Sequence, residues 1–144
     1  MARKLICGVG VNDADYPITR CPYYRKWRDM LPRCYSEQYQ NRNPSYREVN
    51  VCDTWHTFSV FKMWMEQQEW QCMVLDKDLI GSVYGIKLYS KSTCIFIPAQ
   101  VNSLVSLRSI NNSVLRKREL LLEHLVDEDN RDIRKAIVGY LGTF

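Results

Sequence analysis

The sequence predicts an α+β fold whose core is a two-stranded hairpin followed by a helix, with helices before this core and a helical tail after it. Two observations carry this prediction. Two short runs rich in β-forming residues lie in the second half of the chain, and apolar residues recur at helical spacing on both sides of them. The 144 residues suit one main domain, placed at residues 1–110 with its hairpin-plus-helix core at about 72–107. Residues 111–144 then form the tail.

The first predicted element is a strand at Leu5–Val11, where an apolar run contains flexible glycines. Its Gly8-x-Gly10 pattern lacks the third glycine and the following helix of a nucleotide-binding loop. Residues 12–17, Asn-Asp-Ala-Asp-Tyr-Pro, are typical of a turn.

Two helices are predicted before the hairpin. The first begins near Pro22, and Pro32 is expected to end or kink it. The second is expected to have Asp53 as its N-cap. Residues at helical spacing predict a buried stripe on each helix, comprising Tyr24, Trp27, Leu31 and Cys34 on the first and Phe58, Phe61 and Met65 on the second.

The hairpin strands are predicted at Cys72–Lys77 and Cys94–Ile97. The connection between them is expected to be an irregular loop, marked by Gly81, Ser82 and Gly85. Pro98 suits the first turn of the following helix, because the ring fixes φ and the missing N–H has no partner there. Val101, Leu104 and Val105 would pack inward, and Asn102 would lie about one turn in, facing the hairpin.

The tail is predicted to contain two helices. Ser113 is a candidate cap for the first and Asn130 for the second, and Gly142 marks the end of the second. The apolar members are Val114, Leu115, Leu121, Leu122 and Leu125 in the first helix and Ile133, Ala136, Ile137, Tyr140 and Leu141 in the second. Two alternatives stay open: the apolar face docks on the core of the domain, or it binds another protein or a second copy of the chain.

Composition argues against several classes. There is no run of 18 apolar residues and no signal-peptide pattern, so we expect neither membrane insertion nor secretion. The six cysteines are scattered, and reduced, mostly packed thiols are expected. The absence of a Cys-x-x-Cys pair, with only His56 and His124 available, argues against a structural zinc site.

The net charge is +4 and the pI about 8.7, so the distribution of charge is more informative than its sum. Residues 20–47 hold seven basic residues against Asp29 and Glu37, whereas residues 119–132 hold six acidic residues and only Arg131. Basic clusters can neutralise phosphates, and the alternative is a solvated charged helix face. The candidate phosphate contacts are Arg20, Arg25, Lys26, Arg28, Arg33, Arg108, Arg116, Lys117 and Arg118.

One series of residues is more specific than the charge. It comprises Leu75-Asp76-Lys77-Asp78, Tyr89-Ser90, Thr93-Cys94, Phe96, and Asn102 nine residues after Thr93. This series resembles the catalytic hairpin and helix of the HNH, or ββα-metal, homing-type endonucleases of bacteriophages. The aromatic and cysteine positions between Tyr24 and Trp64 are similar to the region that precedes the hairpin in that family. The resemblance covers roughly residues 22–107. The family's AP2-like DNA-binding sheet has no counterpart here.

The resemblance implies a site. Asp76 takes the position of the metal-binding Asp, Asn102 that of the second Asn, and Thr93 that of the first Asn. Together with Lys77 these are the candidate catalytic residues, and Asp76 and Asn102 would ligate Mg²⁺ or Mn²⁺. Lys77 stands where the family has its general-base His. With an ordinary pKa of ~10.4 it acts as a base only if burial lowers that value, and otherwise it would hold the phosphate as a point charge. His56 is a further candidate base.

Two functions follow as expectations. The first is a phage-type metal-dependent DNA endonuclease, which hydrolyses a phosphodiester and makes either a nick or a double-strand break. The second is a catalytically degenerate HNH-derived phage protein that binds and inhibits a host or defence protein through its C-terminal helices. The retained Asp76 and Asn102 favour the first, and Lys77 and the missing sheet favour the second. In both cases we expect the cytoplasm of an infected bacterial cell and no membrane partner.

Overall fold

The structure is a computed structural model that describes residues 4–106 and 113–144. It mixes helices with short strands, so the predicted α+β class is confirmed. The described helices are α1 (Pro22–Tyr35), α2 (Glu37–Arg42), α3 (Phe58–Glu66), α4 (Asp78–Tyr84), α5 (Ala99–Ser106), α6 (Ser113–Asp127) and α7 (Arg131–Leu141). The strands are β1 (Asn50–Val51), β2 (Val74–Asp76), β3 (Leu88–Tyr89) and β4 (Ile95–Ile97), and two 3₁₀ turns lie at Pro44–Glu48 and Asp53–His56.

The chain forms two compact units. The first contains Met1–Glu69 and Lys87–Ser90, and the second contains Trp70–Ile86 and Lys91–Phe144. The tail helices α6 and α7 therefore share a unit with β2, β4 and α5. None of the helices in residues 4–106 and 113–144 combines the length and the apolar character that crossing a membrane requires.

In the first unit, α1 and α3 form the apolar core. Pro22 occupies the first turn of α1, and the side chain of Cys21 caps that turn by accepting from the N–H of Tyr24. The predicted stripe is buried at Trp27, Leu31 and Cys34, and Tyr24 is half-buried. Pro32 does not end this helix, which continues to Tyr35.

The start of α3 differs from the prediction. Asp53 opens a 3₁₀ turn instead of capping the helix, and Thr57 is the residue that precedes α3. Phe58, Phe61 and Met65 are buried on one face, as their spacing predicted.

The predicted strand at Leu5–Val11 is also wrong. Ile6 and Gly10 pair across a tight turn, in which Cys7 and Gly8 have positive φ angles of 52° and 77°. Only Val11 continues as a bridge, to Thr57. The turn forms because Gly8 adopts the left-handed conformation without steric cost. The small sheet of this unit is a parallel pair, β1 with β3, in which Val51 lies opposite Tyr89.

In the second unit, β2 and β4 pair antiparallel, with Asp76 opposite Ile95 and Val74 opposite Ile97. Pro98 follows β4 and α5 begins at Ala99, so a hairpin followed by a helix is present at the expected place. The segment that follows β2 is not the irregular loop that the sequence predicted. Gly81 and Ser82 lie inside α4, and Gly85 ends that helix with a left-handed φ of 67°. Helices commonly end at a glycine in this conformation, so Gly85 marks the end of α4 and not a loop.

The tail docks on this hairpin. One buried cluster unites the strands, α5 and both tail helices, through Leu79, Ile95, Ile97, Val101, Val105, Leu121, Ile133, Ile137 and Tyr140. Asn130 caps α7 as predicted, because its Oδ1 accepts from the N–H groups of Asp132 and Ile133, and Gly142 follows the helix. The first tail helix begins at Ser113, whose side chain lies outside the described residues. All six cysteines are free thiols.

Candidate active site

Asp76 is the last residue of β2, and its carboxylate serves the helix that follows. Its Oδ2 accepts the backbone N–H of Leu79 at 2.7 Å and that of Asp78 at 3.1 Å. The first N–H groups of a helix have no partner within the helix. Lys77, which immediately precedes α4, makes no side-chain capping bond. Asp76 therefore caps α4, and the residue itself is only 4% exposed.

The ionisation of Asp76 reflects this environment. Burial removes the carboxylate from water and raises its pKa from 3.8 to about 6. The negative charge of Asp78 acts in the same direction, whereas the backbone hydrogen bonds and Lys77 lower the pKa. Desolvation dominates, so the site favours a neutral carboxyl more than a surface aspartate does.

Lys77 is buried beside Asp76, at 6% exposure. Its Nζ donates to Oδ1 of Asp78 at 2.7 Å, and the Asp78 side chain remains partly exposed. An ammonium that donates to a carboxylate has no lone pair with which to accept a proton. In this arrangement Lys77 is neither the predicted base nor an accessible clamp for a phosphate.

Thr93 and Asn102 complete the predicted constellation. Thr93 immediately precedes Cys94 and β4, and it is 2% exposed. Asn102 is half-buried on α5, where its backbone N–H donates to the carbonyl of Pro98 at 3.1 Å. This helix packs against β2, the strand that Asp76 ends. All four predicted residues thus belong to the second unit, and three of them are buried.

The donor atoms at this site do not fit a catalytic Mg²⁺. Such an ion keeps several waters, binds one or two protein oxygens and takes further ligands from the substrate phosphate. Oδ2 of Asp76 already accepts two N–H groups, and the residue is only 4% exposed, so little of its surface is open to a hydrated ion bearing DNA. Among the described residues, no group of three or more His, Cys, Asp and Glu side chains is arranged to hold a metal ion.

The predicted phosphate contacts of the first unit divide into two kinds. Arg20, Arg25 and Arg28 are exposed, and Lys26 is half-buried. Arg33 differs, because its Nη1 donates to the phenol oxygen of the buried Tyr89 at 3.3 Å. That contact joins α1 to β3 and gives Arg33 a partner within the fold.

The predicted phosphate contacts at positions 108–118 also differ from one another. Lys117 is buried, donates to the carbonyl of Val105 at 3.2 Å and lies 5.0 Å from the ring centroid of Tyr140. It therefore holds the end of α5 to the start of α6. Arg116 is exposed and paired with Glu119, and Arg118 is exposed. Arg108 lies outside the described residues.

His56, the further candidate base, belongs to the first unit. Its Nε2 lies 3.2 Å from the phenol oxygen of Tyr35 and 3.1 Å from the carbonyl oxygen of Val51. Asp78 is the residue that the sequence reasoning missed, since it holds Lys77. The signal was present, because an acidic residue directly follows Lys77 and stands in the first turn of an apolar segment.

Comparison with known proteins adds no relative: no protein-family model, no curated protein and no solved structure matches this chain.

Proposed function

We propose that this chain is a bacteriophage HNH-type scaffold that no longer cleaves DNA and acts by binding it. The observation that carries the proposal is the burial of Asp76, Lys77 and Thr93. A phosphodiester is held by bulky neighbours on both sides, so the groups that hydrolyse it must reach the surface.

Each of the two charged residues also has another partner. The carboxylate of Asp76 caps α4, and the ammonium of Lys77 pairs with Asp78. Cleavage would require both interactions to break, which would leave the first N–H groups of α4 unpaired and a lysine charge buried. The second unit is therefore proposed to keep the hairpin and its helix as a structural core.

DNA is the proposed ligand because of the first unit. Arg25 and Arg28 lie three residues apart on α1, so they share one face of the helix, and both are exposed. Arg20 adds a further exposed guanidinium just before α1. Guanidinium groups match phosphate oxygens in charge and in geometry, and they need no base contact. The proposed binding is thus to the backbone, without sequence readout.

A protein ligand is the second candidate, and exposed apolar side chains favour it. Leu115, Leu122 and Val126 project from α6, whereas Leu121 of the same helix is buried in the core. Such side chains are a feature of interaction surfaces. In this alternative the chain binds and inhibits a host or defence protein.

The proposal is tested by measuring the affinity for a fluorescent duplex in the presence of EDTA, over a series of salt concentrations. We expect the double variant Arg25→Ala/Arg28→Ala to bind more weakly and the slope of log K against log[salt] to fall by about two, because each lost phosphate contact contributes roughly 0.9. The matched control is Arg131→Ala/Lys135→Ala, which removes two exposed cations from α7.

The control variant should keep the wild-type slope. If the wild type does not bind the duplex at low salt, or if both double variants lose the same affinity, the DNA proposal is wrong.

A further inference from the structure

The outward face of α6 carries an apolar stripe. Leu115, Leu122 and Val126 are 67%, 40% and 82% exposed, although they follow one another at intervals of seven and four residues. At 3.6 residues per turn these intervals place the three side chains on one side of the helix. The opposite side is already used, since Leu121 is fully buried in the core of the second unit. The stripe is therefore a second apolar face on a helix that has already docked.

The charges beside this stripe are arranged with opposite signs at its two ends. Arg116 flanks the stripe in the N-terminal half of α6, and Glu123 and Asp127 flank it on the same side in the C-terminal half. Arg116 also pairs with Glu119 of its own helix at 3.1 Å, and both side chains are largely exposed. One edge of the stripe thus runs from positive to negative along the helix.

We propose that this face binds a second copy of the chain, with the two α6 helices antiparallel about a two-fold axis. In an isologous contact the same patch serves both subunits. With the axis midway along the stripe, Leu115 lies against Val126 of the partner subunit, and Leu122 packs beside Leu122 of the partner subunit. The apolar residues of each copy cover those of the other.

The charge pattern selects the antiparallel direction. In that direction Arg116 lies beside Glu123 and Asp127 of the partner subunit, and the same contacts recur on the other side of the axis. A parallel pair would instead bring opposite edges of the stripe together and set Arg116 beside the exposed Arg118 of the partner subunit, where like charges repel. Complementary charge sets the orientation, and the apolar residues supply most of the affinity.

The expected dimer is weak. Stable interfaces bury about 1,200–2,000 Å² in total, and one helix face with three apolar side chains per copy lies below that size. We therefore expect a reversible, concentration-dependent equilibrium, which analytical ultracentrifugation can follow.

The first experiment compares sedimentation of the full chain over a wide range of concentration with that of Leu122→Lys. The change places a charge at the centre of the stripe, and the dimer dissociation constant should rise about tenfold or more. The matched control is Val138→Lys, which introduces the same charge at another exposed apolar residue, on α7. The control should dimerise like the wild type, and circular dichroism should show all three proteins folded.

The second experiment tests the orientation. Arg116→Glu and Glu123→Arg should each weaken the dimer, because each sets like charges against one another across the axis. The combined variant should recover affinity, since the swapped pairs are again opposite in sign.

Three results would overturn the proposal. These are a wild type that stays monomeric at every concentration, a dimer that Leu122→Lys leaves unchanged, and a combined variant weaker than both single variants. The first of these would direct attention to a different protein as the occupant of the stripe.

Discussion

The carboxylate Oδ2 of Asp76 accepts the backbone N–H of Leu79 at 2.7 Å, so the residue in the metal-ligand position of the HNH resemblance is the cap of a helix. The same oxygen also accepts from the N–H of Asp78. This arrangement couples the end of β2 to the start of α4, and it accounts for the burial of a carboxylate in a hairpin without a histidine partner.

Asp76→Ala is expected to destabilise the fold. The variant leaves the first N–H groups of α4 without an acceptor, and we expect a loss of about 1–2 kcal/mol in the free energy of unfolding. Asp76→Asn is the matched variant, because its amide oxygen can accept the same two bonds. Urea denaturation at neutral pH should find Asp76→Asn well above Asp76→Ala in stability. Equal stability of Asp76→Ala and the wild type would show that the cap contributes nothing.

The raised pKa of Asp76 predicts a pH dependence of stability. A carboxyl whose pKa is about 6 in the folded chain and 3.8 when unperturbed takes up a proton on folding between those two values. The contribution of Asp76 to the free energy of unfolding therefore falls as pH rises from about 4 to about 6. The decrease is on the order of 2–3 kcal/mol. Above this range the contribution should be constant.

The measurement is the difference in unfolding free energy between Asp76→Asn and the wild type at a series of pH values. Asparagine does not titrate, so the difference isolates this carboxyl. It should shift in favour of Asp76→Asn as pH rises through the window. If the difference in unfolding free energy stays constant with pH, the pKa of Asp76 is not raised.

Much of the fold was readable because the relevant signals are local. The strands at 74–76 and 95–97 follow from runs of β-forming residues, and the caps at Asn130 and Gly142 follow from their side-chain chemistry. The missed elements depend on tertiary contacts. Gly81 predicts a loop because glycine is a weak helix former. In the fold it lies against the carbonyl of Ile86, where a larger residue has no space.

The elements that carry the candidate residues were predictable, but the exposure of these residues was not. The β-forming run at 72–77 placed Asp76 on a strand, and Pro98 placed Asn102 on the following helix. Whether a carboxylate at a strand end faces solvent or caps a helix depends on α4, which the sequence reasoning did not predict. Lys117 illustrates the same limit, because its burial depends on α5 and α7, which are distant in sequence.

The two helical glycines Gly81 and Gly139 should respond in opposite ways to alanine. A Cβ at Gly81 would lie 2.6 Å from the carbonyl oxygen of Ile86, so Gly81→Ala should cost about 1–3 kcal/mol. A Cβ at Gly139 meets only a methyl of Val83 at 4.0 Å, and Gly139→Ala should stabilise by roughly 0.5–1 kcal/mol. Thermal unfolding of the two variants checks this. Stabilisation by both would mean that α4 does not approach Ile86.

Lys117 should matter for stability and not for DNA. Lys117→Met removes the bond to the carbonyl of Val105 and should cost about 1–3 kcal/mol, because the buried acceptor loses its partner. Arg118→Met, at an exposed neighbour, should change stability by less than about 0.5 kcal/mol. Chemical denaturation gives the stabilities, and the duplex-binding assay should find Lys117→Met unchanged. A loss of DNA affinity without a loss of stability would show that Lys117 contacts phosphate.

A supercoiled-plasmid nicking assay with Mg²⁺ and with Mn²⁺ tests most directly our proposal that the chain is an HNH-type scaffold that does not cleave. The wild type is compared with Lys77→His, which restores an imidazole that could act as a base and would be worth about 10²–10⁴-fold in rate at an open site. Because Asp76 and Thr93 are buried, both proteins are predicted to nick no faster than they do in EDTA. Metal-dependent nicking by either protein, abolished when Asp76→Asn is added, would contradict the account.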